Sequence, residues 1–446
     1  MKGGLPFLMD NQELSVRFLT NLATLFKEYN ILIFLKEVSD MNKILEEYKQ
    51  LCKDLDQYER TAIPLCAAEN YVSNFCMRPL ISNFEGKYSF TETSGNNSFI
   101  GGEYIERLNI LLKKQCQKMF GATYTNTETL TGINCFTVCA MALLSPEDYV
   151  LVTTPEQGGH ASIPIILDTI GVKYRPIPYD YSKYQINYEK LNQLCKSQKY
   201  SYIIFCQSDV INPPDLKAIN ISNNMGIIYD STQTLGLIAS GVVPNPLACC
   251  KNIVLIGGSH KTLPAPSCGL IMTNNEFYEE KLKKQITPNY LRYTQPNHSA
   301  SLLLALIEQE EYGHCYQKLI VDLANMFGLK LHQLGFKVAK LDSQIFTYTH
   351  QLFILMNEED TNSFYSTARQ FNITLNKKHK ELFNNDGIRI GTQQIARYNW
   401  EEKEIALLAQ LFYSIRAKNY NDIQNIREKL IAKKIPSFTY EDFSIV

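Results

Sequence analysis

Between about residues 60 and 300, short apolar runs alternate with helical stretches, and this alternation restricts the fold more than any other feature of the chain. The segments 148–153 (DYVLVT), 202–206 (YIIFC), 226–229 (GIIY) and 252–256 (NIVLI) have the length and unbroken apolar character of strands buried on both faces. Helical segments such as 187–198 separate several of them, which predicts an α/β domain around a mostly parallel sheet. Ligands of such sheets sit beyond the carboxyl ends of the strands, so the polar residues just after these runs are the place to look for chemistry.

The flanking regions read differently. Leu14, Phe18, Leu22, Leu25 and Phe26, and then Leu45, Tyr48, Leu51 and Leu55, recur at helical spacing and predict helix over 11–58, with a structural or dimer-contact role. Beyond 300, a helical stretch covers 301–333. A strand-like 351–355, a loop ending in 386–389 (DGIR) and helices over 401–434 follow, which together read as a smaller α+β domain. The expected division is 1–60 helical, 61–300 large α/β domain and 301–446 small α+β domain.

Lys+Arg is 44 and Asp+Glu is 45, so a net charge of -1 gives no electrostatic reason to expect a nucleic-acid partner. The 12 cysteines include no C-x-x-C pair, which argues against a zinc site and for reduced, buried thiols. The first residues lack a basic start before an apolar run, and the apolar stretch 31–35 is far short of a membrane span. A cytoplasmic protein with no membrane partner is the expectation.

Four polar features fall at strand ends or helix starts. Lys261 follows the run 252–256 within 259–262 (SHKT). A lysine in an apolar setting is neutral enough to form a Schiff base, although a lysine after a strand is commonly a surface residue. Asp230 ends the preceding run in 229–233 (YDSTQ). A buried acid needs a cation, and a pyridinium nitrogen is one, but an N-cap is the plainer reading. Thr131 and Gly132 lead into an apolar helix over 135–144, where free N–H groups and the helix dipole favour phosphate. His160 follows two glycines in 157–160 (QGGH), where it can lie over a ring or be structural.

Each feature is modest alone, but their order and spacing resemble the serine hydroxymethyltransferase family, of the aspartate aminotransferase fold type I of pyridoxal-phosphate (PLP) enzymes. The resemblance runs from about 64 to 418. It rests on AAEN (67–70), GKY (86–88), FGATY (120–124), GGH (158–160), YDSTQTLGLIASGVVPNP (229–246), HKTL (260–263), NITLNK (372–377) and GIRIGTQ (387–393). It implies that Lys261 carries the cofactor, Asp230 pairs with the pyridine nitrogen and His160 stacks on the ring. Thr131 and Gly132 would hold the phosphate, with His260 and Gln233 beside the cofactor. Arg389 would clamp the substrate carboxylate, a task suited to a planar bidentate donor. Tyr88 would act on substrate in the active site of the neighbouring subunit of a homodimer.

The departures cluster on the folate side. Where the family has a glutamate two residues after the tyrosine matched by Tyr88, this chain has Phe90, with Glu92 two further on. A family tyrosine corresponds to Ile100. Serines correspond to Ala68 and Ile133, and a histidine to Gln233. PLP and an amino-acid substrate are therefore expected, tetrahydrofolate is doubtful, and an aldehyde is the expected second partner. The expected activity makes or breaks the Cα–Cβ bond of a small β-hydroxy amino acid, as threonine transaldolase-like enzymes do. The alternatives are an ordinary folate-dependent serine hydroxymethyltransferase using Glu92, a different PLP reaction, or a non-catalytic scaffold.

Overall fold

The computed structural model describes residues 11–91, 96–197, 199–222 and 224–440, with the backbone alone at 11–18, 31–42 and 288. Glu92 lies outside the described residues. The chain divides into two compact units, 1–62 and 63–446. The first is one helix, α1 (Asn11–Thr61). Its Leu22, Leu25, Phe26, Leu51 and Leu55 are exposed in the single chain.

The second unit holds two sheets. The larger contains β1 (Tyr124–Asn126), β2 (Tyr149–Val152), β3 (Lys173–Pro176), β4 (Tyr202–Phe205), β5 (Gly226–Asp230), β6 (Ile253–Gly258) and β7 (Gly269–Thr273). Its order is β1-β7-β6-β5-β4-β2-β3. Strands β2 to β6 pair in parallel, and β7 runs antiparallel to β6 and β1. The unbroken apolar runs are explained by burial on both faces. Ile203, Phe205, Ile227, Tyr229, Ile253 and Leu255 enter one core. Tyr202, Ile204, Ile228, Val254 and Ile256 enter the other. Only the strand ends are left for polar chemistry.

The smaller sheet, β8 (Lys337–Val338), β9 (Gln351–Met356), β10 (Asn376–Lys380) and β11 (Asn385–Gly391), is antiparallel in the order β8-β9-β11-β10. The segment 386–389, expected as a loop, is therefore strand. The turn lies just before it, where Asn384 and Asn385 take φ of 53° and 85°. Gly387 belongs in the strand because a Cβ there would overlap the carbonyl of Ile354 on β9. Ile388 and Ile390 alternate into the small core, which leaves Arg389 on the other face.

A long helix, Pro296–Gln333, joins the two halves of this unit. Its Leu302, Ala305 and Leu306 pack in the large core, and Tyr316, Ile320, Phe327 and Leu331 in the small one. The position near 300 expected as a domain boundary lies at the head of this continuous helix. Among the described residues no helix is long and apolar enough to cross a membrane.

Glu308 on this helix and Arg397 are both fully buried and pair at 2.5 Å. Ser73 and Thr439 donate their hydroxyls to Glu308 at 2.7 Å each, and Arg397 also donates to the carbonyl of Phe438. The pair thus gathers residues near 73, 308, 397 and 438. Removing one partner strands a charge in a dry site, which costs about 3–5 kcal/mol. Arg397→Ala and Glu308→Ala are each expected to lower the urea unfolding midpoint strongly, and the double variant to lose clearly less than the sum. Additive losses would show that the two side chains are not coupled.

Candidate active site

The carboxyl ends of β2, β4, β5 and β6 and one face of the small sheet supply the candidate residues. Asp230 is the last residue of β5. Its carboxylate accepts the Thr232 N–H at 2.8 Å. Burial pushes its pKa up, and the pull of Thr232, Lys261 and His160 in the other direction does not cancel that rise. The carboxylate is therefore short of positive charge as the protein stands.

Lys261 lies in the loop after β6. Burial lowers its ammonium to about 8; Asp230 and Asp209 oppose that shift, whereas Arg389 and Lys378 add to it. An amine tuned in this way has a neutral fraction of roughly a tenth at pH 7, far above that of an ordinary lysine, and can act as a nucleophile. The loop is held from several sides. Asn70 donates to the carbonyl of Lys261 at 2.5 Å and to the hydroxyl of Tyr316 at 2.9 Å, and Tyr316 donates to the carbonyl of Gln393. Thr262 donates to the carbonyl of Gln233 at 2.9 Å, and its own carbonyl accepts from Gln317.

His260, next to Lys261, holds a φ of 84°, a conformation that costs a non-glycine residue of order 1–3 kcal/mol. Its N–H bonds the carbonyl of Leu263 at 2.9 Å, and its buried Nδ1 has no partner among the described residues. Burial, and then Lys261, push the imidazole down to about 4, so the ring is neutral. His160 begins the segment after β2. Its N–H bonds the carbonyl of Cys206, beyond β4, and its Nδ1 accepts the Ser162 N–H. Burial lowers its pKa, Asp230 raises it and Lys261 lowers it, so it shares the field of both groups.

Thr131 caps the helix Gly132–Leu143 by accepting the Asn134 N–H at 3.1 Å. Gly132 is where β6 and the loop after β5 meet this helix start: a Cβ would overlap Thr232 Oγ1 and crowd Gly258. Only glycine permits that close approach of the helix start to β6. Gln233 is buried, with its side-chain carbonyl accepting from Gln351 Nε2 at 2.9 Å; Gln351 also accepts the Val210 N–H. The ring contacts of Tyr88 are with Phe99 and Tyr293, outside this group.

Arg389 on β11 is 5% exposed. Its Nη1 donates to Asp209 at 2.8 Å and to the carbonyl of Ser208 at 2.9 Å, and its Nη2 donates to Asn376 at 2.8 Å. Its Nε is buried without a partner among the described residues. One edge of the guanidinium is thus fixed by the protein and an N–H is left over. Asp209, 1% exposed, also pairs with Lys378 and Lys380 at 2.8 Å each. Burial alone would raise its carboxyl, but Arg389, Lys378 and Lys380 hold it down at about 2. Sequence reasoning missed Asp209, Lys378, Lys380, Asn70 and Tyr316. Asp209 was legible in principle, as an acid three residues beyond the run 202–206.

Several features fit a group that carries a ring cation, an aldehyde and a phosphate. Asp230 is buried with too little positive charge near it, the Lys261 ammonium is lowered to about 8, His260 Nδ1 is buried without a partner among the described residues, and Gly132 lets the helix start approach β6 closely. Ionised Asp230 should burden the cofactor-free protein. Its folded pKa lies above the ordinary 3.8, so the burden is full above the folded pKa and disappears below about 3.8, where both states are protonated. Asp230→Asn is therefore expected to stabilise the cofactor-free protein at pH 7, with the gain shrinking as pH falls towards 4. Urea midpoints at several pH values read this directly, and a gain independent of pH would refute the account.

A family model described as serine hydroxymethyltransferase matches residues 41–412. The serine hydroxymethyltransferase of Methanothermobacter thermautotrophicus is 27% identical over 409 residues, covering 88% of this chain and 94% of that protein. That of Thermoplasma volcanium is 28% identical over 365 residues, covering 79% and 85%. Among solved structures, an L-threonine transaldolase from Pseudomonas fluorescens aligns with a TM-score of 0.79 at 21% identity, over 89% of this chain and 93% of that one, a likeness of fold.

Proposed function

From its membership of the serine hydroxymethyltransferase family, we propose that this PLP-dependent enzyme makes and breaks the Cα–Cβ bond of a small β-hydroxy amino acid, with an aldehyde as second partner and without folate. The observation that carries the folate-free reading is Phe90. It occupies the position where the family's folate reaction has a carboxylate, and its half-buried ring has no proton to give or take. Its carbonyl accepts the Ser98 N–H at 2.9 Å, while Thr91 and Asn97 both donate to Glu106. The side chains that tie this loop therefore use their polar atoms on one another.

Lys261, Asp230, His160, His260, Thr131, Gly132 and Gln233 would hold the cofactor. When bound, PLP supplies an electron sink for the pair left at Cα. Asp230 would keep the pyridine nitrogen protonated, and in doing so would gain the cation its burial calls for. Lys261 would attach the cofactor and, once displaced by the substrate amine, move a proton to or from Cα. Arg389 would fix the substrate carboxylate through its unused N–H, its other edge being held by Asp209 and Asn376. Tyr88 would complete the site of a neighbouring subunit in a homodimer.

The first test concerns the anchor. Borohydride treatment of the holoenzyme should fix the cofactor to Lys261, read by peptide mapping, and Lys261→Ala should abolish turnover. A label on another lysine would overturn the assignment.

The second reading, an ordinary folate-dependent serine hydroxymethyltransferase, is favoured by the names of the sequence relatives. Serine-to-glycine conversion with and without tetrahydrofolate separates the two. The expected result is little or no stimulation by tetrahydrofolate, together with cleavage of β-hydroxy amino acids in its absence. Strong stimulation that vanishes in Glu92→Gln would establish the folate-dependent reading.

A further inference from the structure

One carboxylate in this site is surrounded by three cations. Asp209 pairs with Arg389, Lys378 and Lys380, and no other ion pair to these three cations occurs among the described residues. Counting three positive charges less one negative, the cluster carries an excess of two. A structural link between the two sheets needs only one cation for one carboxylate, so the extra lysines call for another explanation.

The register of the small sheet sets their positions. Asn376 stands opposite Arg389, Lys378 opposite Gly387 and Lys380 opposite Asn385. With a side-chain period of two, Asn376, Lys378 and Lys380 share the face that carries Arg389. His379, between the lysines, projects to the opposite face and pairs with Asp386 at 2.9 Å. Lys380 is committed twice, to Asp209 and to the carbonyl of Pro155 at 3.0 Å. Lys378 has Asp209 as its one ion-pair partner among the described residues, stands over a glycine, and keeps some solvent access. Burial and Arg389 push its ammonium pKa down, the response of a cation still short of negative charge. The Arg389 and Lys378 charges also act to lower the Lys261 ammonium, so the excess is felt at the reacting amine.

A substrate α-carboxylate on Arg389 neutralises one of the two excess charges. We infer that the substrate bears a second anionic group at the end of its side chain, a carboxylate or a phosphate ester, and that Lys378 receives it. This rests on the reaction proposed above and adds the substrate class: acidic β-hydroxy amino acids, cleaved to glycine and an aldehyde that carries the acid. In that cleavage the Cα–Cβ bond breaks, the β-hydroxyl loses its proton as the carbonyl forms, and Cα takes up a proton, so no further reactant is needed.

The test is a binding measurement on the holoenzyme, read from its visible absorption, with amino acids that have no β-hydroxyl to cleave. L-aspartate is compared with L-asparagine, and O-phospho-L-serine with O-acetyl-L-serine. At least one anionic ligand is expected to bind ten times or more tightly than its neutral counterpart, and which pair does so tells carboxylate from phosphate. Lys378→Met should bring that ratio below threefold, and Lys378→Arg should preserve it. A ratio under tenfold in both pairs of the wild type, which needs no variant to fold, overturns the inference, as does a ratio unchanged in Lys378→Met. Where the carboxylate pair gives the preference, cleavage of 3-hydroxyaspartate is measured separately: its absence, with that binding preference intact, would count against the proposed reaction and leave the anion site standing.

Discussion

The ion pair between Asp209 and Arg389 is the contact on which the site depends. Asp209 comes from the turn after β4 of the large sheet, and Arg389 from β11 of the small one. Neither charge is tolerable alone where it lies, since an isolated buried ion costs several kcal/mol. Each is made tolerable by the other, so the two sheets are brought to one relative position in which the guanidinium faces the strand ends. The neighbouring polar links follow the same line. Gln351 on β9 reaches Val210, the carbonyl of Ser208 and Gln233, and Thr349 donates to the carbonyl of Val210. The seam between the sheets is a hydrogen-bonded network running from Asp209 to the segment that follows Asp230.

Within that frame the site holds groups at a cost to the fold. Asp230 is buried with too little positive charge, Lys261 is pushed towards neutrality, and His260 takes a backbone conformation that suits glycine better. Under the proposed function, these conditions would ready a carboxylate for a ring nitrogen and an amine for an aldehyde. The surroundings pay for them through packing: β4, β5 and β6 are buried on both faces, each large aliphatic side chain contributing about 1.5–3 kcal/mol. The same strands that stabilise the domain end at the residues that destabilise it.

The large sheet was legible in the sequence because strands buried on both faces read as unbroken apolar runs. The runs at 148–153, 202–206, 226–229 and 252–256 each correspond to a strand of the sheet within one or two residues. The polar residues after them were legible for the same reason. The small sheet was harder. Its strand β10 reads NKKHK, which looks like a solvated charge run until Asp209 is known to lie against it. Likewise the Asp386-Gly387 pair looks like a turn, although the residues that turn are the two asparagines before it. Asp209 and its lysines escaped notice because they are far apart in sequence and no local spacing connects them. The tie from Asn70 through Tyr316 to Gln393 spans more than 300 residues and leaves no periodic trace.

Two features of the chain bear on the folate-free reading proposed above. Phe90 and Ile100 stand where the family resemblance leads one to expect groups that handle protons or hydrogen bonds, and neither side chain can do so. On the small sheet, Lys378 and Lys380 crowd around Asp209 while Arg389 Nε has no partner among the described residues. A pterin-dependent reaction and a retro-aldol cleavage both need a proton moved near the β-carbon. A retro-aldol cleavage needs the β-hydroxyl proton removed and the substrate held firmly in place, and binding energy from a remote anionic group can supply that hold. Under the folate-free reading proposed above, the cations that β10 gathers around Asp209 would supply that hold.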